Sequence, residues 1–378
     1  MMINPRFPLL VACLLAVGFG GQAAEKPGWM IEKETYEANL KTLRPRGTQV
    51  EVGVAAHGVT TPAQAALLHR AGIRRVRRTI YWNLLEKPDG TWNEDYLRDW
   101  DKAEAASREQ GLELLAVVHE APQGLDWAHR SEAYQRFASA VGRLAARYPG
   151  IRNWELWNEM DLSFTDLFGA KRKDMTLRER GKCYAEMLRL AAPAIRRANP
   201  QAQIVMGGMA SQDGEFLEGI YDGGGQGYFD VANVHTYGEP ILWRFVNTAV
   251  LLRAILERHG DGRKPLWNTE FGNSGGQTVV AWGIPKGRDL GEYLDEKQRE
   301  LVTECVTANR KYSLYDVAMI YVLQGEAEGT DREVAARGGK LPAGRTGSDY
   351  GYSLLRSDGV TPRPTMEWLM ANPDRASR

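Results

Sequence analysis

Two short apolar runs each close on a carboxylate. One is Asn153-Trp154-Glu155-Leu156-Trp157-Asn158-Glu159 and the other Leu266-Trp267-Asn268-Thr269-Glu270-Phe271-Gly272. Both read as β-strands with a glutamate at the C-terminal end. Two carboxylates facing one sugar can act as acid and nucleophile, provided their surroundings separate the two pKa values. A single such glutamate would more often be a surface cap or a salt-bridge partner. Two, each following a tryptophan at a strand end, argue for a site. Glu155 shares the parity of Glu159 but lies deeper along the strand, which predicts a buried partner for an arginine. Other candidates gather at strand ends. His57 and His119 close two further apolar runs, and either can line a cleft or serve as a structural hydrogen-bonding group. Trp82, Trp127, Trp243 and Trp282 fall in or near connecting loops, where rings stack on sugar faces. Trp154 and Trp157 lie within a strand and are expected in the core.

Eight strands are expected to carry these groups: Val50–Ala56, Ile73–Ile80, Leu112–His119, Ile151–Glu159, Gln203–Ala210, Asp230–Tyr237, Pro265–Phe271 and Val317–Gln324. Helix-like stretches lie between them, including Pro62–Ala71, Tyr96–Gln110, Ser131–Arg147, Leu177–Ala198, Ile241–His259, Gly291–Tyr312 and Thr365–Met370. Stop signals such as Ala71-Gly72, Gln110-Gly111 and Pro149-Gly150 precede many of the strands. Eight alternations predict a single α/β domain, a (β/α)8 TIM barrel without an accessory β-sandwich, over 25–378. An open doubly wound sheet is the alternative, but no Gly-x-Gly-x-x-Gly follows the first strand. The long segments Asp161–Thr176, Gly272–Leu290 and Gly325–Ser348 all follow strand C-termini, the face that carries chemistry in a barrel.

The chain has 378 residues with 48 basic and 48 acidic side chains, so no basic field exists to hold a nucleic acid. Residues 1–24 read as a secretory signal: Arg6, an apolar run from Phe7 to Phe19, then the mostly small residues Gly20 to Ala24. Cleavage is expected near Ala23 or Ala24, with no stable membrane span left afterwards. Leu10-Val11-Ala12-Cys13 offers a lipoprotein variant of the same signal. A periplasmic or secreted location follows. Export would permit a disulfide between Cys183 and Cys305, although separate buried thiols are the commoner outcome in a domain of this size. No Cys/His cluster calls for a structural metal, and no cofactor is expected.

These motifs resemble the catalytic strands of clan A glycoside hydrolases, with Asn-Glu on strand four and Glu on strand seven of a (β/α)8 barrel. The sequence is most similar to family 39, in particular its bacterial exopolysaccharide-acting branch with the Psl-type endoglycosidases. The similarity runs from about Val52 to Trp368. It takes in Arg77, Trp82 and Glu86-Lys87-Pro88-Asp89-Gly90, then Val234-His235-Thr236-Tyr237, and Gly351-Tyr352 through Pro362 and Pro364. The resemblance implies a retaining glycosidase with Glu159 as acid/base and Glu270 as nucleophile. It further implies that Asn158 bonds the sugar 2-hydroxyl, that His235 and Tyr237 orient Glu270 or the sugar, and that Arg77 keeps Glu270 ionised. Two features depart from the family. Xylosidase-type members continue into a β-sandwich, whereas only Ala371–Arg378 follow the last helix here. Ile320-Tyr321-Val322-Leu323-Gln324 lacks a strand-eight tryptophan, and Gln324 is the expected replacement.

The leading expectation is an endo-acting enzyme on a bacterial exopolysaccharide or plant-type glycan, with a carbohydrate as its partner. The alternatives are an exo-acting β-xylosidase-like enzyme, a non-catalytic sugar-binding barrel, and a metal-dependent hydrolase using His57, His119 and His235.

Overall fold

The computed structural model describes residues 28–122, 125, 129–162, 174–274, 286–325, 351–356 and 358–373. The leader at 1–24, Trp127 and Trp282 lie outside the described residues.

Eight parallel strands form one sheet: β1 (Glu51–Ala55), β2 (Arg75–Tyr81), β3 (Glu113–His119), β4 (Asn153–Asn158), β5 (Gln203–Gly208), β6 (Ala232–Thr236), β7 (Leu266–Phe271) and β8 (Val317–Ile320). Their order, β5-β4-β3-β2-β1-β8-β7-β6, joins the first strand to the last and rolls the sheet into a barrel. Isolated parallel bridges Val205↔Val231 and Met209↔Val234 close the remaining seam between β5 and β6. This is the TIM barrel the alternation predicts.

The helices are α1 (Gly28–Thr42), α2 (Pro62–Arg70), α3 (Trp82–Leu85), α4 (Glu94–Glu109), α5 (Arg130–Arg147), α6 (Leu177–Ala198), α7 (Glu215–Asp222), α8 (Ile241–Arg258), α9 (Leu290–Tyr312) and α10 (Pro364–Ala371). Local chemistry fixes several starts. Thr61 and Gln64 form a reciprocal capping box at α2, and Thr176 and Glu179 form another at α6. The helices α1, α3 and α7 have no counterpart in the sequence-based expectations. α1 packs along α8, where Tyr36 stacks on Trp243 with ring centres 6.1 Å apart. Trp243 therefore spends one ring face on protein.

Alternation along the strands divides the core in two. Trp154, Leu156, Ile204 and Met206 point outward and join the apolar layer beneath the helices. Leu115, Val205, Val231, Trp267, Val317 and Met319 fill the barrel interior. At its lower end Arg75 bridges Glu51 at 3.1 Å and Glu113 at 2.9 Å, and lies over the Trp267 ring. The interior is thus plugged below, and a second group of polar side chains meets near the strand C-termini. Cys183 and Cys305 are separate buried thiols. Among the described residues no helix is long and apolar enough to cross a membrane.

Candidate active site

Strand alternation should separate Asn158 and Glu159 onto opposite faces, yet both turn into the barrel mouth. The backbone explains this. Trp157 has φ +76° and Glu159 φ +44°, both in the left-handed region that bulky residues rarely adopt. The reversal at Trp157 sends its ring outward against Phe137, with centres 5.4 Å apart, and frees Asn158 to point inward. Glu159 then follows onto the same cleft, its backbone N–H donating to Gly208 O at 3.0 Å.

Arg77, from β2, is the hub beneath these groups. Its Nε and Nη2 donate to Glu155 at 2.8 and 2.9 Å, its Nη2 also reaches Asn158 Oδ1 at 2.7 Å, and its Nη1 pairs with Glu270 Oε1. Glu155 is fully buried, the arginine partner its depth in the strand predicts. Burial alone would depress the charge on Arg77, but Glu155 and Glu270 outweigh it and keep the guanidinium firmly protonated.

Glu270 is gripped at both oxygens. Arg77 holds Oε1, and the Tyr237 hydroxyl donates to Oε2 at 2.8 Å. Burial pushes this carboxyl up. His235, Arg77 and the Tyr237 hydroxyl together outweigh burial and bring it down to about 2. Glu159 moves the other way: burial raises it, the His235 hydrogen bond offsets only part, and Glu270 and Asp161 add to the rise. His235 Nδ1 lies 3.1 Å from Glu159 Oε1 and 3.7 Å from Glu270 Oε2, so one ring nitrogen faces both acids. His235 lies so close to β5 that a Cβ on Gly208 would sit 2.0 Å from its Nε2. Only glycine fits there.

One ligand atom each from Glu159, His235 and Glu270 lie within 4.8 Å of one another, a set whose size suits a cation. The electrostatics argue otherwise. Arg77 already places a fixed positive charge on Glu270, and Tyr237 occupies its second oxygen. The trio is better described as two acids bridged by an imidazole.

The remaining sequence candidates divide. His119 lies beside this group, 5.5 Å from the Tyr81 ring. Burial, then Arg77, drives its pKa down to about 3, so it stays neutral. His57 is exposed at the rim, and its Nε2 meets the Tyr321 hydroxyl at 3.1 Å. Trp82 corrects an expectation. The strand turns directly into α3 at this residue, which drives the ring into the outer core. There it is fully buried, packed edge-on against Phe137 and donating Nε1–H to Glu86 at 2.6 Å. It offers no face to a sugar.

Gln324 corrects another. β8 stops at Ile320, and Tyr321 takes the place at the strand end, its ring 6.2 Å from Tyr237 and 5.7 Å from Tyr352. Gln324 turns toward α2 instead and accepts from Gln64 Nε2 at 2.8 Å, beside His57 in a shallow pocket between the β1 and β8 loops. Asn233 and Thr269 belong to the site as well, with no motif that marks them in the sequence. Both are fully buried below His235, and Asn233 shares its strand parity.

A family model described as Cellulase (glycosyl hydrolase family 5) matches residues 35–300. The chain belongs to this family of glycosyl hydrolases. The family 39 kinship expected from the motifs appears instead as a likeness of fold. A family 39 glycoside hydrolase from Bacteroides cellulosilyticus WH2 superposes with TM-score 0.57 at 17% identity, covering 87% of this chain and 64% of that one. The GH5_18 protein of Streptomyces cattleya, solved with GlcNAc, gives TM-score 0.60 at 15% identity over 88% of this chain and 82% of its own. Endo-glycoceramidase II from Rhodococcus sp. gives 0.56 at 14% identity over 86% and 80%. At these identities the likeness concerns the fold. A sequence comparison with curated proteins finds no match.

Proposed function

We propose that the protein is a retaining glycosidase that cleaves O-glycosidic bonds within an oligo- or polysaccharide, with Glu270 as nucleophile and Glu159 as acid/base. The carrying observation is the opposite treatment of two carboxyls whose oxygens approach within 4.8 Å: Glu270 held as a carboxylate, Glu159 raised toward the acid form. Such proximity suits a covalent intermediate, since an inverting pair leaves about 6.5–9.5 Å for a water between them.

The steps follow from these assignments. Glu270 attacks the anomeric carbon while Glu159 gives its proton to the departing glycosidic oxygen, leaving a glycosyl ester on Glu270. Glu159, now a carboxylate, takes a proton from water; the resulting hydroxyl attacks the anomeric carbon and frees Glu270. Asn158, with Oδ1 fixed on Arg77, presents Nδ2 toward the sugar 2-hydroxyl. His57, His119, Tyr237 and Tyr321 line the rest of the cleft.

Membership of a cellulase family supports a polysaccharide as substrate, and the leader pattern at 1–24 supports action outside the cytoplasm. The finer reading is endo-cleavage of a bacterial exopolysaccharide or plant-type glycan. It is tested by incubation with a panel of such polysaccharides, following products by NMR. Mixed oligosaccharides with retained anomeric configuration are expected at the first time points. Monosaccharide alone would replace the endo reading with an exo one, and an inverted first product would remove the covalent intermediate.

A further inference from the structure

Thr269 immediately precedes Glu270, and where the β7 register is irregular both side chains face the barrel interior, Thr269 beneath His235. Its hydroxyl meets three groups. Asn233 Nδ2 lies 2.8 Å away, His235 Nε2 3.2 Å and Glu155 Oε1 3.4 Å. The orientation of Asn233 is not ambiguous, because its Oδ1 accepts the Thr269 backbone N–H at 3.1 Å. Its amide nitrogen must therefore be the donor to the hydroxyl, which occupies one of the two Oγ1 lone pairs.

One hydroxyl hydrogen and one lone pair remain for two neighbours. Glu155 is paired with Arg77 and accepts from Gly208 N, and its oxygens can only accept. A hydroxyl lone pair turned toward that carboxylate would be repelled in a buried, weakly screened setting. The hydrogen accordingly points to Glu155 and the lone pair to His235, so Nε2 must carry the proton.

We propose that Thr269 is a positioning residue that holds His235 Nε2 as an N–H, leaving Nδ1, the nitrogen facing Glu159 and Glu270, as the atom that exchanges protons with the acid/base. This rests on the proposed roles of Glu159 and Glu270. The groups around the imidazole are Arg77 from β2, His119 from β3, Glu155 from β4 and Glu159 just beyond it, Tyr237 just beyond β6 and Glu270 from β7, with Asp161 acting on Glu159. With His235 and Glu159 both protonated, Arg77 and His235 balance Glu155 and Glu270 charge for charge. That agrees with the direction of both groups: burial lowers His235, but Glu270 and the Glu159 hydrogen bond outweigh it and raise it, while burial raises Glu159.

The test uses full-length enzyme with 15N-labelled histidine. The six histidines give few signals, and His235 is identified by the signal lost in His235→Gln. Wild type and Thr269→Ser should show His235 in the neutral Nε2–H form above its pKa. Thr269→Val should show a mixed or Nδ1–H form, together with a displaced alkaline limb of kcat/KM that Thr269→Ser restores. If valine prevents folding, Thr269→Ala is read in the same way. An unchanged His235 tautomer in the folded valine or alanine variant would overturn the proposal, as would an Nδ1–H form in wild type. The spectra need no substrate, so a failure here is distinguishable from a failure of the glycosidase reading, which the activities of the Glu159 and Glu270 variants decide.

Discussion

Arg77 and Tyr237 hold opposite oxygens of the Glu270 carboxylate, one from β2 and one from just beyond β6. Glu270 is therefore fixed across the barrel mouth rather than by its own strand alone. Glu270→Ala should abolish turnover of every substrate, since no glycosyl ester can form. Glu159→Ala should retain activity on aryl glycosides whose leaving groups need no proton, and azide should raise it to give a β- or α-glycosyl azide of retained configuration. Exchanged behaviour of the two variants, measured with such substrates, would exchange their roles.

The pH dependence follows from the opposed carboxyls. Glu270, at about 2 in the fold, is ionised throughout the working range, so the acid limb of kcat/KM should lie well below the ordinary carboxylate region. The alkaline limb should report Glu159 together with His235, as a pair. Stability responds with opposite signs. The depressed Glu270 stabilises the fold above the unfolded carboxylate value of about 4.3, and this is lost as pH falls toward about 2. The raised Glu159 contributes below that unfolded value and loses its contribution as pH rises through its folded pKa. Glu159→Gln should thus gain stability over wild type at neutral and alkaline pH. Parallel denaturation curves for the two proteins across pH would contradict this.

Removal of Arg77 should be costly in two separate ways. Arg77→Ala leaves fully buried Glu155 without its cation, a loss of about 3–5 kcal/mol in chemical denaturation. It also releases Glu270 Oε1, so the acid limb should move to higher pH. Loss of activity with unaltered stability would show that Glu155 finds another partner.

Trp82 and Tyr321 should behave oppositely. Trp82→Ala should lower stability by about 3–5 kcal/mol, as deletion of a large buried ring does, while KM changes little. Tyr321→Ala should raise KM with a smaller stability loss, because its ring is only half buried at the strand end. Calorimetry and kinetics on the two variants give both numbers. A KM effect confined to Trp82→Ala would place the sugar elsewhere.

Much of the barrel was legible because its strands are short β-rich runs between turn signals, and period-two alternation assigns their inner faces. Glu155 is a case where parity and depth led to the partner that the structure shows. Parity failed two residues later, since nothing in a tryptophan announces the left-handed backbone at Trp157 that lets Asn158 and Glu159 share a cleft. β8 was drawn too long because Tyr321-Val322-Leu323 has strand-like composition, although the ladder ends at Ile320. The side chain at the strand end is accordingly Tyr321 and not Gln324. Trp82 was misplaced because position after a strand does not tell which way a short helix turns a ring. Thr269 and Asn233 were hidden for another reason: each is an ordinary polar residue, and only the cross-strand register places both under His235.

The two bridges that close β5 against β6 bear on how the enzyme would wear out. This seam is closed by separate bridges rather than one continuous ladder, and His235 N–H bonding to Met209 O at 2.7 Å is one of the main-chain ties across it. The imidazole that couples the two acids stands on the one edge of the barrel, among the described residues, closed by bridges rather than a ladder. Brief parting of that edge would unseat His235 while the other seven junctions stay zipped. On warming, catalytic competence should fade before the far-ultraviolet signal does, and return on cooling.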